Sequence, residues 1–108
     1  MKIMEEKITK EMLDHYLAGL VNKFFKILPM REANEYSLTE YMESLQVELI
    51  GCKGVIDELQ HDAMYLTIIS ILQYLITEEC EVRVVKREVF KAISLCKKLR
   101  KRYVLNEE

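Results

Sequence analysis

Over residues 82–103, Val85, Val89, Ala92, Cys96, Leu99 and Tyr103 return at three- and four-residue steps, while nine lysines and arginines crowd the remaining positions. Only an α-helix, at about 100° per residue, gathers such positions into one apolar stripe and one cationic face. A helix of that kind must lay its stripe on another element, so this segment already demands partners to pack against. Its charge is lopsided as well. Nine bases against one acid, Glu88, make it formally +8, whereas residues 1–81 hold seven bases and fifteen acids, formally −8. The net charge of −2 therefore hides a strong internal dipole. Such a dipole either binds something anionic or holds the chain's own helices in register.

The same period governs three earlier segments. Ile8, Met12, Leu13, Tyr16, Leu17, Leu20, Val21, Phe24, Phe25 and Leu28 predict a helix over residues 9–28, with Pro29 as its stop. With Ile27 these positions span roughly 200° of the helical wheel, wider than a helix with one neighbour needs. Two partners are expected for this helix, one of them a second copy of the chain, with Tyr16, Leu20, Phe24 and Phe25 as contact residues. Ser37-Leu38-Thr39-Glu40 has the form of a capping box, and Leu38, Tyr41, Met42, Leu45, Leu49, Cys52, Ile56 and Leu59 follow it without a break in phase. One helix over 38–59 is expected, although Gly51 and Gly54 each cost about 1 kcal/mol relative to Ala. The two glycines are read as a local weakness more than as a site of close helix approach. Asp62 supplies an N-cap for a helix over 63–77, a stretch with no charged residue, which is the pattern of a helix surrounded by protein. Its four isoleucines would also suit a strand, but its length and lack of Gly and Pro decide for helix.

At 108 residues, with half of them apolar, the chain fits one domain able to bury a single core. Four amphipathic helices over 9–28, 38–59, 63–77 and 82–103, joined by short links, predict an all-α antiparallel four-helix bundle. Three cysteines, Cys52, Cys80 and Cys96, share no CxxC spacing and read as reduced thiols of a reducing, cytoplasmic setting. The acidic start, Met1-Lys2-Ile3-Met4-Glu5-Glu6, lacks the basic and apolar regions of a signal peptide. The longest uncharged run, 63–77, is shorter than the roughly 20 residues of a membrane span.

The cationic face is the strongest candidate site. Arg83, Lys86, Arg87, Lys91, Lys97, Lys98 and Lys101 share one arc of roughly 140° with Phe90, a set suited to an acidic protein or to phosphates with a stacked base. Helix 2 carries Glu40, Glu43, Glu48, Asp57 and Glu58 against Lys53 alone, so pairing between the two helices within the bundle is the competing use of the charge. A helix-turn-helix is disfavoured, since its turn would lack Gly and its reading helix would begin inside an unbroken stripe. His15, His61, Cys52 and Cys80 do not fall at zinc spacing, Cys80 sits among three glutamates that oppose thiolate formation, and no carboxylate is embedded in an apolar stripe where burial would tune it for catalysis. No cofactor, metal or catalytic residue is expected.

Phe24-Phe25-Lys26-Ile27-Leu28-Pro29, Tyr41-Met42-Glu43-Ser44-Leu45-Gln46, Ile71-Leu72-Gln73-Tyr74-Leu75-Ile76 and Val85-Lys86-Arg87-Glu88-Val89-Phe90-Lys91-Ala92-Ile93 resemble stretches of short all-helical proteins of Gram-positive bacteria, often encoded in phage-derived or mobile elements. The resemblance covers about residues 16–103. It implies a helical fold and, because that group has no assigned activity, carries no functional residue. The reading that follows is a non-catalytic, self-associating interaction or adaptor module. The alternative is a small nucleic-acid-binding accessory protein that uses the basic face.

Overall fold

Apolar residues at helical spacing become helices over most of the chain. The computed structural model describes residues 10–105. It contains α1 (Lys10–Glu32), α2 (Leu38–Lys53), a single turn α3 (Asp57–Gln60), α4 (Ala63–Thr77) and α5 (Val82–Arg100), which runs into a π-helical turn (Lys101–Leu105). The fold is all-α, with no strand among the described residues. Ile8, the first residue of that stripe, and Thr9, the expected start of the helix, lie outside the described residues.

Pro29 does not stop α1. It lies inside the helix, on an exposed position, where the Phe25 carbonyl that loses its N–H partner can turn to water. The true stop is Asn34, in the left-handed region at φ 54°. Its N–H donates to the Arg31 carbonyl (3.1 Å), and that of Glu35 donates to the Met30 carbonyl (3.0 Å), the paired bonds of a Schellman ending. The Ser37 capping box does not form: Ser37 precedes α2 but its side chain caps nothing.

The expected single helix over 38–59 is broken. α2 ends at Lys53, where Gly54 and Val55 donate to the carbonyls of Gly51 and Cys52 in a tightened turn. Ile56 then takes an extended conformation and is buried, and α3 buries Leu59. Neither glycine has a positive φ, and no helix approaches closely there, since a Cβ built on Gly51 would meet nothing within 4 Å. Asp62 does cap α4, accepting from the N–H groups of Met64 (2.8 Å) and Tyr65 (3.1 Å).

α5 is the hub, packed most extensively on α1 and then on α4, while α2 lies on α4 and more lightly on α1. The core is built from Leu13, Leu17, Leu20, Phe24 and Ile27 of α1 against Val89, Ala92, Cys96 and Leu99 of α5, with Tyr65, Ile68 and Leu72 of α4 beside them. Val21 and Leu28 are half-buried against the same core. Within the chain α1 has two neighbours, α5 and α2, while Met12 and Phe25 of its broad stripe stay exposed. α4, by contrast, is not surrounded by protein: Leu66, Thr67, Ser70, Gln73, Tyr74 and Thr77 form an exposed face along it. Its lack of charge reflects a neutral surface as well as a buried side.

Candidate functional site

The eight residues singled out on the last helix, Arg83, Lys86, Arg87, Phe90, Lys91, Lys97, Lys98 and Lys101, are all exposed. Seven stand on α5, and Lys101 opens the π-helical turn. The stripe of Val85, Val89, Ala92, Ile93, Cys96 and Leu99 holds the opposite side against α1 and α4, and so turns the cations outward.

Pairing of this face with the acids of α2 is not what the molecule shows. No ion pair joins α2 to α5 among the described residues. Arg83 pairs with Glu81 at 3.1 Å, and Arg87 (3.1 Å) and Lys91 (3.6 Å) share Glu88. Arg100 meets Asp14 of α1, and Arg102 lies 3.6 Å from Asp62. Glu48 of α2 pairs with Lys23 of α1 at 2.9 Å. Lys86, Lys97, Lys98 and Lys101 make no ion pair with any described residue, and their charge is open to solvent.

The expectation that no carboxylate is embedded fails at Glu88, whose side chain is 10% exposed beneath Arg87 and Lys91. Its place on the edge of the α5 stripe is hidden in the sequence by the basic residues around it. A second buried acid, Asp62, is fully engaged: besides its two cap bonds it accepts from the Tyr103 hydroxyl at 2.5 Å. Burial, and then that bond, raise the Tyr103 phenol above its ordinary value. Both acids are structural by their partners.

The contact residues proposed for a second copy separate. Leu20 and Phe24 have no exposed surface and belong to the core of one chain, because the α1 stripe is filled by α5 and α2. Tyr16 is half-buried, its hydroxyl 3.2 Å from that of Tyr65, which in turn donates to the Leu49 carbonyl at 2.7 Å. Burial first, and then hydrogen bonds to Cys52 and Tyr65, hold the Tyr16 phenol well above its ordinary value. Phe25 alone of the four is exposed, and it meets Phe90 edge to face at 5.8 Å and 79°. One residue from each candidate set is thereby joined into an aromatic ridge between α1 and α5, with Lys86 and Lys97 on the same side of α5 as Phe90. Spacing within one helix could not show this, since the two rings are far apart in the chain.

No His, Cys, Asp and Glu grouping able to hold a metal exists among the described residues. The three thiols are free, and burial pushes Cys96 up to about 12, far from a reactive thiolate. A cleft of about 490 Å³ at the α1–α2 and α4–α5 turns contains Arg31, but its guanidinium is engaged by the Cys80 carbonyl and Asn34 Oδ1, both at 3.0 Å. No described helix is long and apolar enough to cross a membrane. Comparison with known proteins returns no matching family model, no matching curated protein and no matching solved structure.

Proposed function

We propose that the chain is a non-catalytic, self-associating interaction module of the cytoplasm, an antiparallel bundle of four long helices that recruits an acidic protein through the outer side of α5. In such a bundle each helix has two neighbours, and α2 and α5 stand across the diagonal, facing away from each other. The observation that carries the reading is the group of cations with no ion pair among the described residues, Lys86, Lys97, Lys98 and Lys101, of which Lys86 and Lys97 stand beside the exposed Phe25–Phe90 ridge. An aromatic anchor rimmed by solvent-facing cations is the composition of a recognition surface for an acidic, amphipathic partner. The resemblance to short helical proteins of phage-derived and mobile elements agrees with an accessory role and adds no residue to it.

A nucleic-acid reading draws on one specific feature, the placement of Phe90 among cations, where it could stack on an unpaired base. The two readings part in one experiment. The triple variant Lys86→Glu, Lys97→Glu, Lys101→Glu is expected to keep its melting temperature, because these residues have no ion pair with a described residue to lose. It is expected also to lose binding to an acidic amphipathic peptide probe, while neither protein shifts DNA or RNA at low salt. A mobility shift that weakens steeply with salt and vanishes in the variant would establish the nucleic-acid reading instead. Peptide binding unchanged by the three reversals would refute both.

A further inference from the structure

The outward side of α4 is a surface of a different kind. Over 15 residues, about 22 Å of helix, it presents Leu66, Thr67, Ser70, Gln73, Tyr74 and Thr77 and no charge, in a chain that is 31% charged. Leu66 and Tyr74 are 39% and 42% exposed. Three of its polar groups already have partners within the chain: the hydroxyls of Thr67 and Thr77 donate to their own helix at Ala63 (2.8 Å) and Gln73 (2.9 Å), and the Gln73 amide oxygen accepts from Gln46 (2.9 Å). Burying these groups would strand few donors or acceptors.

The edges of this face are oppositely charged. α4 lies between α2 and α5. On the α2 edge Glu43 and Ile50 are exposed, on the same side of α2 as Gln46. On the α5 edge stand Arg87, Lys91 and Lys98, on the opposite side of the cationic arc from Lys86, Phe90 and Lys97. Met42 of α2, Leu75, Ile76 and Thr77 of α4 and Val85 of α5 line one cleft, and Gln46 reaches Gln73. Glu43, next to Met42, and Arg87, two residues past Val85, therefore flank the same end of the face.

We infer that a second copy of this chain covers the α4 face, in a dimer whose two-fold axis runs along α4. An isologous contact sets a surface against itself, so a neutral face can be used this way whereas the acidic and basic faces of this molecule repel their own copies. An axis along α4 also lays the α2 edge of each copy over the α5 edge of the other, so that Glu43 meets Arg87 twice. An axis across α4 would set acid on acid and base on base. The axis along α4 brings Glu78 and Glu79, just past the neutral stripe, towards their own copies at one end, an opposing cost that the flanking pairs must exceed. The inference rests on the self-association proposed above and moves it from α1 to α4.

Sedimentation at about 100 µM tests it. The wild type is expected to be a dimer, and Ser70→Arg, which faces two guanidinium groups across the axis, a monomer. Glu43→Arg and Arg87→Glu are each expected to weaken association by about tenfold or more, and an equimolar mixture of the two to regain it, because each then meets its complement. Lys91 keeps Glu88 partnered in Arg87→Glu, and Glu43 is exposed, so both variants should fold even if Ser70→Arg does not. A monomeric wild type would overturn self-association and this inference together. A wild-type dimer indifferent to Ser70→Arg would overturn the α4 face alone. If the mixture stayed as weak as its components, the axis along α4 would be wrong.

Discussion

Tyr65 shows how much one side chain can organise. It is fully buried, and its hydroxyl links α4 to the Leu49 carbonyl of α2 and to Tyr16 of α1. Tyr65→Phe preserves the ring and its packing but leaves a buried carbonyl and a phenol short of a partner, so a loss of about 1–3 kcal/mol is expected in urea denaturation. The same phenols set an alkaline limit. Burial holds Tyr65 and Tyr16, and burial followed by the Asp62 bond holds Tyr103, above the ordinary phenol value of 10.0. Above that value the unfolded chain gives up protons that the folded chain retains, so the unfolded state binds fewer and stability falls as pH rises. Urea midpoints are expected to change little from these groups up to about pH 9 and to drop beyond about pH 10, less steeply in Tyr65→Phe. Periodicity places Tyr16 on an apolar stripe and has no means of showing that its hydroxyl completes a buried relay across three helices.

Among the helices, the departures from the sequence-based expectation have local causes. Proline breaks most helices, but at the exposed position of Pro29 the cost is one hydrogen bond that water replaces, and Asn34 ends the helix one turn later. Pro29→Ala restores the donor to the Phe25 carbonyl, and a gain of about 1 kcal/mol is expected in thermal or urea unfolding. Gly19 of α1 and Gly51 of α2 have only open space where a Cβ would stand, so Gly19→Ala and Gly51→Ala should each stabilise by up to about 1 kcal/mol, whereas a close helix contact there would make them destabilising. The stripe through Leu49, Cys52, Ile56 and Leu59 keeps its phase and the helix still breaks, because Gly54 and an extended Ile56 bury the same side chains by another route. Periodicity marks which residues go inside; it does not guarantee that one helix carries them there.

For the molecule as a whole, the sequence shows opposite charge on two helices and leaves open whether they meet. The packing order decides against it: the cations of α5 and the turn that follows find Glu81, Glu88, Asp14 and Asp62, and none of these lies on α2. Raising salt should therefore change the melting temperature only slightly, since the Arg83–Glu81 pair is exposed and the cations on Glu88 and Asp62 keep more than half of their side chains in solvent, where such pairs contribute about 0–1 kcal/mol each. A large salt-induced loss of stability would mean that charge holds the fold together after all. Lys86, Lys97, Lys98 and Lys101 have no ion pair among the described residues, a property that composition cannot report because it depends on what stands opposite.

By itself the sequence determined that the chain is helical, which stripe of each helix supplies most of the core, that Asp62 starts α4 and that the cations of the last helix stand opposite its apolar stripe, for all of these follow from spacing along one helix and from the chemistry of single residues. Tertiary structure alone decided that Leu20 and Phe24 are interior, that Phe25 touches Phe90, that Glu88 is buried and that α4 keeps a neutral face open. Each of these depends on which helix lies against which, and neighbours distant in the chain are chosen by the packing of the whole.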